Sequence, residues 1–147
     1  MKRILLAEDN ENDVELTLSA LAECRLANEV DVVRDGAEAL DYIYSRGNFA
    51  DRGHDLPGVV LLDLKMPRVD GLEVLRTIKS DSKLRTLPIV MLTSSREEQD
   101  LLRSYHSGVN AFVVKPVDFA QFVAAIRTLG IFWSILNELP SGRPKRA

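Results

Sequence analysis

Five polar side chains of the kinds that hold metal ions and transfer phosphoryl groups each follow a short apolar run of the sequence. Glu8 and Asp9 follow the first run, and Asp63 follows the third. Thr93 and Lys115 follow the fourth and the fifth. Three carboxylates brought together raise one another's pKa unless a cation lies between them, and hard oxygen ligands of this kind suit Mg²⁺. The residue types therefore predict a magnesium site that contains a nucleophilic aspartate.

Asp63 is the candidate nucleophile, because a carboxylate can attack phosphorus and form an acyl phosphate. Glu8 and Asp9 would hold the metal ion, directly or through water, and the ion would offset charge on the transferring phosphoryl group. Lys115 would supply a second positive charge to the phosphoryl oxygens, and the Thr93 hydroxyl could turn toward the new group. Each residue alone also has an ordinary explanation, as a helix cap, a loop residue or a surface lysine. Their occurrence at four separate strand ends favours one shared site.

These side chains can meet only if the apolar runs are strands of one sheet. The first, third and fourth runs are continuously apolar, which is typical of strands buried on both faces of a parallel sheet. Segments with helical spacing lie between the runs, so the sequence predicts an α/β fold, a doubly wound five-stranded parallel sheet with helices on both faces. Ligands bind in such folds at the carboxyl ends of the strands. The predicted strands span residues 3–7, 29–33, 59–62, 89–92 and 111–114.

Capping residues and apolar spacing predict the helices. Asp35 and Ser95 are each followed three residues later by a glutamate, a pattern that indicates helix starts, and Asp118 is a candidate cap for the last helix. Residues 46–57 contain two glycines and a proline among polar residues, which favours a long surface loop. The apolar faces of two helices are predicted at Val14, Leu18, Leu21 and Ala22 and at Leu72, Leu75 and Ile78.

Length, charge and cysteine content restrict the class of protein. The 147 residues fit one domain, expected at 1–130, with a C-terminal helix extension and flexible tail at 131–147. The net charge of −3 argues against nucleic acid or an anionic membrane as a partner. The first ten residues are unlike a signal peptide, and no apolar run could span a bilayer. With its single cysteine, the chain is predicted to be cytoplasmic.

The motifs at the strand ends resemble those of the receiver domains of response regulators. They are LLAEDN at residues 5–10, LLDLKMP at 61–67 followed by Asp70-Gly71, LTSS at 92–95 and FVVKP at 112–116. The resemblance implies the (βα)5 flavodoxin-like receiver fold and a single-domain response regulator of a two-component phosphorelay. Such a protein accepts a phosphoryl group from a histidine kinase, here on Asp63, with Mg²⁺ as the cofactor. Beyond this self-catalysed transfer and a slow autodephosphorylation, the resemblance implies no enzyme activity.

The same resemblance implies roles for the residues around Asp63. Glu8 and Asp9 become the acidic pair of the family, and Lys65 becomes the residue whose backbone carbonyl reaches the metal ion. Lys115 becomes the lysine that contacts the phosphoryl group, and its bond to Pro116 is expected to be cis.

The switch residues implied by the resemblance are Thr93, whose hydroxyl turns toward the phosphoryl group, and Phe112, the rotating aromatic. Signalling is then expected through the surface of the fourth helix, the fifth strand and the fifth helix. Because Phe112 has no hydroxyl to form a hydrogen bond in the rotated state, burial of its ring would have to drive the switch. A plain core aromatic is the alternative interpretation of this residue.

A narrower similarity links the chain to the small response regulators that partner bacterial phytochrome histidine kinases. It rests on the loop at 46–57, the run at 64–71, the Ser104-Tyr105 pair and residues 129–133. The segment that follows carries more apolar surface than one domain can cover, which predicts a homodimer through the C-terminal helix region. Folding of this segment onto its own domain is the alternative. The apolar residues concerned are Ile131, Phe132, Trp133, Ile135, Leu136 and Leu139.

Three other functions compete with this interpretation. A phosphatase of the haloacid dehalogenase type needs an acid two residues after the nucleophile, where this chain has Lys65. A flavodoxin-like nucleotide binder needs a small or hydroxyl-rich loop after the first strand, where this chain has four acids between Glu8 and Asp13. A receiver-like scaffold that works without phosphorylation remains the main alternative, although the intact set of acids, hydroxyl and lysine argues against it.

Overall fold

The structure is a five-stranded parallel sheet in which a helix follows each strand. The computed structural model describes residues 2–53, 55–104, 109 and 111–131. The strands are β1 (Ile4–Ala7), β2 (Val30–Val33), β3 (Val59–Asp63), β4 (Ile89–Thr93) and β5 (Ala111–Val114). The helices are α1 (Glu11–Ala22), α2 (Gly36–Tyr44), α3 (Gly71–Ser80), α4 (Arg96–Ser104) and α5 (Phe119–Thr128). The predicted fold class is confirmed, and each predicted strand is correct to within one residue at either end.

Two predictions concern residues outside the described ranges. These are the role of Tyr105 in the narrower similarity and the extension after Ile131 with the homodimer built on it. Within the described ranges, every helix is too short or too polar to cross a membrane.

The strand order brings the carboxyl ends of β1, β3, β4 and β5 together. The order is β2-β1-β3-β4-β5, and the direction of winding reverses between β1 and β3. Ala7 pairs with Leu62 across β1 and β3, while Thr93 pairs with Val114 across β4 and β5. The residues that follow these strands therefore lie along one edge of the sheet, at the position where doubly wound folds bind ligands.

Two apolar cores hold the sheet between its helices. Leu5 and Leu62 point to the face that α2, α3 and α4 cover, whereas Leu6 and Leu61 point to the face of α1 and α5. Residues of β1, β3 and β4 are buried throughout, because each strand has helices on both sides. This explains why their sequences are continuously apolar rather than alternating.

The predicted face of α1 is partly wrong, whereas that of α3 is confirmed. Val14 and Leu21 are buried as expected, but Leu18 is half-buried and Ala22 is exposed. The remaining positions of the buried face of α1 belong to Thr17 and Ala20. Leu18 still packs against the core, but the rotation of α1 about its axis extends the buried face toward Thr17 and Ala20 rather than toward Ala22. In α3, Leu75 and Ile78 are buried as predicted, and the half-buried Leu72 packs against the same core, to which Val74 also belongs.

The segment at 46–57 is not simply a surface loop. Gly47–Arg52 forms two short 3-10 turns joined by a kink at Phe49, whose ring packs edge-on against Tyr42 with centroids 5.3 Å apart. The Arg52 guanidinium lies 3.8 Å from the Tyr42 ring centroid and donates a 2.7 Å hydrogen bond to its backbone carbonyl. The Arg46 guanidinium also lies 4.9 Å from the Tyr44 ring centroid, so one aromatic and two cation–π contacts anchor the segment on α2.

Candidate functional site

Three carboxylates meet at the carboxyl edge of the sheet. Glu8 follows β1, and Asp63 is the last residue of β3. One oxygen each from Glu8, Asp9 and Asp63 lie within 4.8 Å of one another. Glu8 is fully buried and Asp63 is 4% exposed, whereas Asp9 faces solvent. The prediction that these acids converge is confirmed.

Lys115 connects these carboxylates from the end of β5. Its ammonium nitrogen lies 3.0 Å from Asp63 Oδ1, 3.3 Å from Glu8 Oε1 and 3.0 Å from Asp13 Oδ2. Burial lowers the pKa of Lys115, but the hydrogen bonds to Asp63 and Asp13 outweigh burial and raise this pKa above its usual value. The bond from Lys115 to Pro116 is cis, as predicted. Lys115 is therefore the charged counter-ion of the acidic cluster.

Asp13 is a member of the site that the sequence analysis did not assign. It lies in the first turn of α1, where a carboxylate is favourable near the helix N-terminus, and its side chain is 24% exposed. Asn10 caps this helix by accepting a 2.9 Å hydrogen bond from the Asp13 amide. The only signal in the sequence was the density of acids after β1.

Burial and mutual repulsion raise the pKa of the inner carboxylates. The pKa of Glu8 rises from 4.5 to about 7, first because of burial and second because of the charge on Asp63. The 3.2 Å hydrogen bond from the Asn10 amide to Glu8 opposes this rise. Burial also raises the pKa of Asp63, while Lys115 opposes the change. In the absence of a metal ion, Glu8 is thus the carboxyl that carries the proton near neutral pH, and Asp63 pairs with Lys115.

The donor set fits a hard divalent cation. Three carboxylates with one solvent-facing member supply oxygen ligands and leave room for water, which is the coordination that Mg²⁺ prefers. A cation here would also remove the repulsion that raises the pKa of Glu8. The Lys65 side chain is 80% exposed. Its backbone carbonyl remains a predicted ligand.

We expect Glu8→Gln to stabilise the metal-free chain at pH 8 and to have little effect at pH 5. The folded state binds the Glu8 proton more tightly than the unfolded state, so the stability of the wild type falls as the pH rises from about 4.5 to about 7. Glutamine carries no charge, and its gain at pH 8 should be on the order of 1–3 kcal/mol. Urea unfolding in EDTA at both pH values measures this difference. The exposed Glu15→Gln is the control, and identical pH curves for all three chains would contradict the assignment.

Glycine at position 71 lets α3 approach the nucleophile candidate closely. A Cβ atom on Gly71 would lie 2.2 Å from the Asp63 carbonyl oxygen and 2.9 Å from Leu64 Cα. The Gly71 amide donates a 2.8 Å hydrogen bond to the Leu64 carbonyl, and Asp70 caps the helix by accepting from the Glu73 amide at 2.9 Å. The Asp-Gly pair of the motif is therefore explained by tight packing between α3 and the loop after β3.

The two predicted switch residues lie on neighbouring strands. Thr93 is fully buried, and its hydroxyl oxygen lies 3.5 Å from the Val113 carbonyl, to which it donates. Phe112 is half-buried, and the Arg103 guanidinium of α4 lies 4.5 Å from its ring centroid. A groove of about 250 Å³ beside them runs between α4 and α5, lined by Gln99, Arg103, Phe112 and Gln121 among others. The hydroxyl thus contacts β5, and a cation–π contact holds the aromatic ring.

Two basic side chains of the loop after β3 form ion pairs with residues at helix starts. The Lys65 ammonium lies 3.4 Å from Glu98, and an Arg68 guanidinium nitrogen lies 3.3 Å from Asp35. The Lys65–Glu98 pair joins the loop after β3 to the first turn of α4, and the Arg68–Asp35 pair joins the same loop to the cap of α2. Both basic side chains are therefore already paired with acids, and they tie the loop after β3 to α4 and α2.

Comparisons with known proteins agree with this site. The family model described as "Response regulator receiver domain" matches residues 4–127. The solved bacteriophytochrome response regulator AtBRR is 64% identical with a TM-score of 0.88, covering 94% of this chain and 99% of its own. The solved bacteriophytochrome response regulator RtBRR is 60% identical with a TM-score of 0.88, covering 97% of this chain and 86% of its own. Among curated relatives, the probable methanogenesis regulatory protein FilR2 of Methanothrix harundinacea (strain 6Ac) is 37% identical over 93% of this chain and 86% of its own length.

Proposed function

The chain belongs to the response regulator receiver domain family, whose members typically take up a phosphoryl group with Mg²⁺, and we propose that Asp63 is its phosphoacceptor. The observation that carries this proposal is the place of the Asp63 carboxylate, which is buried at a strand end 3.0 Å from Lys115 and beside two further acids. The test is phosphoryl uptake by the wild type and by Asp63→Asn.

In the proposed reaction, an Asp63 oxygen attacks the phosphorus of a phosphohistidine on the kinase. A P–O bond to Asp63 forms, the P–N bond breaks, and its electron pair returns to the imidazole nitrogen. A carboxylate nucleophile has no proton to lose, so no general base is needed, and the Lys115 ammonium, 3.0 Å from Asp63 Oδ1, opposes the rise in the Asp63 pKa that burial causes. Lys115 then donates to a phosphoryl oxygen in place of this carboxylate.

Glu8, Asp9, Asp63 and the Lys65 carbonyl would hold the Mg²⁺ ion. When bound, the ion would offset negative charge on the phosphoryl oxygens. The support is the convergence of the three carboxylates and the raised pKa of Glu8, which marks a place where a cation is favourable.

Thr93 and Phe112 would transmit the new charge to the surface of α4, β5 and α5. The Thr93 hydroxyl would exchange its long contact with the Val113 carbonyl for a phosphoryl oxygen, and the Ser94 amide would follow. The Phe112 ring would then leave Arg103 and fill the space that Thr93 had occupied. A partner on the groove between α4 and α5 would sense both movements.

A histidine kinase of the bacteriophytochrome type is the proposed donor. Two solved structures that are 60% and 64% identical to this chain are bacteriophytochrome response regulators by name. Light sensing would then belong to the kinase. Lys65 occupies the position at which aspartate-nucleophile phosphatases need an acid, so we propose no turnover beyond slow loss of the phosphoryl group. A cytoplasmic location also remains a prediction.

We propose that two chains associate through the segment that follows Ile131, and we expect a dimer in sedimentation of the whole chain at tens of micromolar. The support is the apolar composition of this segment, and the neighbouring Leu129 and Ile131 pack against the core of α1 and α5. Trp133→Glu should shift the equilibrium to the monomer, because a charge in an apolar interface is unfavourable. The tail variant Lys145→Glu is the control. A wild type that sediments only as a monomer would exclude the dimer.

A further inference from the structure

The Glu98 carboxylate bridges two hydrogen-bond donors that flank the phosphoacceptor candidate. Its Oε1 accepts a 2.7 Å hydrogen bond from the Ser94 amide, and its Oε2 lies 3.4 Å from the Lys65 ammonium. Ser94 directly follows Thr93 at the end of β4, and Lys65 lies two residues after Asp63. The Glu98 side chain is 15% exposed, whereas the Lys65 side chain is 80% exposed.

Helix capping explains only part of this arrangement. Glu98 is the third residue of α4, and its own amide donates to Ser95 Oγ at 3.2 Å. Glu38 of α2 does the same, since its amide donates to Asp35 Oδ1 at 2.8 Å and its carboxylate accepts from the Arg34 amide at 2.7 Å. The two glutamates therefore cap alike. Glu98 differs from Glu38 because its carboxylate also contacts Lys65, which lies two residues after Asp63.

We propose that Glu98 is a positioning residue for the phosphoryl switch, which holds the Ser94 amide and the Lys65 ammonium until an aspartyl phosphate competes for them. This inference rests on the proposed role of Asp63. An amide N–H donates to one acceptor at a time at full strength, so closure of Ser94 over a phosphoryl group must break its bond to Glu98. The phosphoryl group carries more negative charge than the Glu98 carboxylate and has three acceptor oxygens, so the Ser94 amide and the Lys65 ammonium should bind it in preference to Glu98.

Removal of the Glu98 carboxylate should therefore favour the closed state. Glu98→Ala should bind beryllofluoride, a phosphoryl analogue, about ten-fold more tightly in the presence of Mg²⁺, since a hydrogen bond to a charged acceptor must no longer be broken. Glu98→Gln should fall between this variant and the wild type, because glutamine keeps an acceptor for Ser94 but loses its charge. Glu38→Ala removes the equivalent cap of α2 and should change the affinity less than about two-fold.

Calorimetric titration of the whole chain with beryllofluoride and Mg²⁺ measures these affinities. A double-mutant cycle with Lys65→Met adds a second test. The increase in beryllofluoride affinity caused by Glu98→Ala should be smaller when Lys65 is already replaced, whereas a role in helix capping alone predicts the same increase in both backgrounds. If wild-type binding is normal and Glu98→Ala binds no more tightly than the wild type, Glu98 is a helix cap only. If the wild type binds no beryllofluoride and gains no phosphoryl mass, the phosphoacceptor assignment fails, and this inference fails with it.

Discussion

Asp63→Asn should abolish the gain of one phosphoryl mass that we expect for the wild type after incubation with acetyl phosphate and Mg²⁺. Asparagine has the shape of aspartate but carries no anionic oxygen to attack phosphorus, so the rate should fall by more than about a thousand-fold, as it does when a nucleophile is removed from an enzyme. Intact-mass measurement detects the product directly. EDTA should prevent uptake by the wild type, because the transferring group would then lack its metal ion.

The variant should remain folded, which makes its inactivity informative. The asparagine carbonyl can still accept a hydrogen bond from Lys115, whose nitrogen lies 3.0 Å from Asp63 Oδ1 in the wild type. Asp55→Asn is a matched control, since Asp55 is exposed and takes no part in the acidic cluster. Uptake by Asp63→Asn at the wild-type rate would place the acceptor elsewhere. No uptake by the wild type, from acetyl phosphate or from a cognate kinase, would favour the scaffold alternative.

The acidic centre was predictable because strand ends in a parallel sheet have few possible arrangements. Val59 to Leu62 is apolar without interruption, and only burial on both faces explains such a run, so the position of Asp63 at its end followed from the chain itself. The same argument placed Thr93 at the end of β4. β5 lies at the edge of the sheet and its burial alternates, so the position of Lys115 followed only from the short apolar run before it. Winding order then brought these ends together.

The partners of these residues were not predictable, because they depend on how the helices approach the sheet. Asp13 reaches Lys115 from the first turn of α1, and Arg103 reaches Phe112 from α4. Each contact joins elements that are distant in sequence and depends on the rotation of one helix about its axis. The exposure of Ala22 and the burial of Thr17 on α1 have the same cause. The spacing of apolar runs in the sequence determines which strand ends lie together, whereas side-chain packing determines which helical residues complete the site.

Lys115→Met should lower the free energy of unfolding of the metal-free chain by about 2–4 kcal/mol at pH 8. The substitution leaves three carboxylates without the ammonium that lies within 3.3 Å of each, while methionine keeps the apolar stem. The loss should be smaller at pH 6, because Glu8 then carries a proton and one repulsive charge disappears. Urea unfolding in EDTA measures both values, with the exposed Lys83→Met as the control.

The same variant separates the two cations that share these acids. Mg²⁺ and the Lys115 ammonium both offset the charge of Glu8 and Asp63, so the stabilisation gained on adding Mg²⁺ should be larger in Lys115→Met than in the wild type. Phosphoryl uptake should nevertheless fall, since the metal ion replaces the charge of the lysine but not its hydrogen bond to the phosphoryl oxygens. Unchanged metal-free stability together with an unchanged Mg²⁺ effect would show that Lys115 does not hold the cluster together. If Mg²⁺ stabilises Lys115→Met more than the wild type but phosphoryl uptake is normal, Lys115 stabilises the metal-free state and takes no part in phosphoryl transfer.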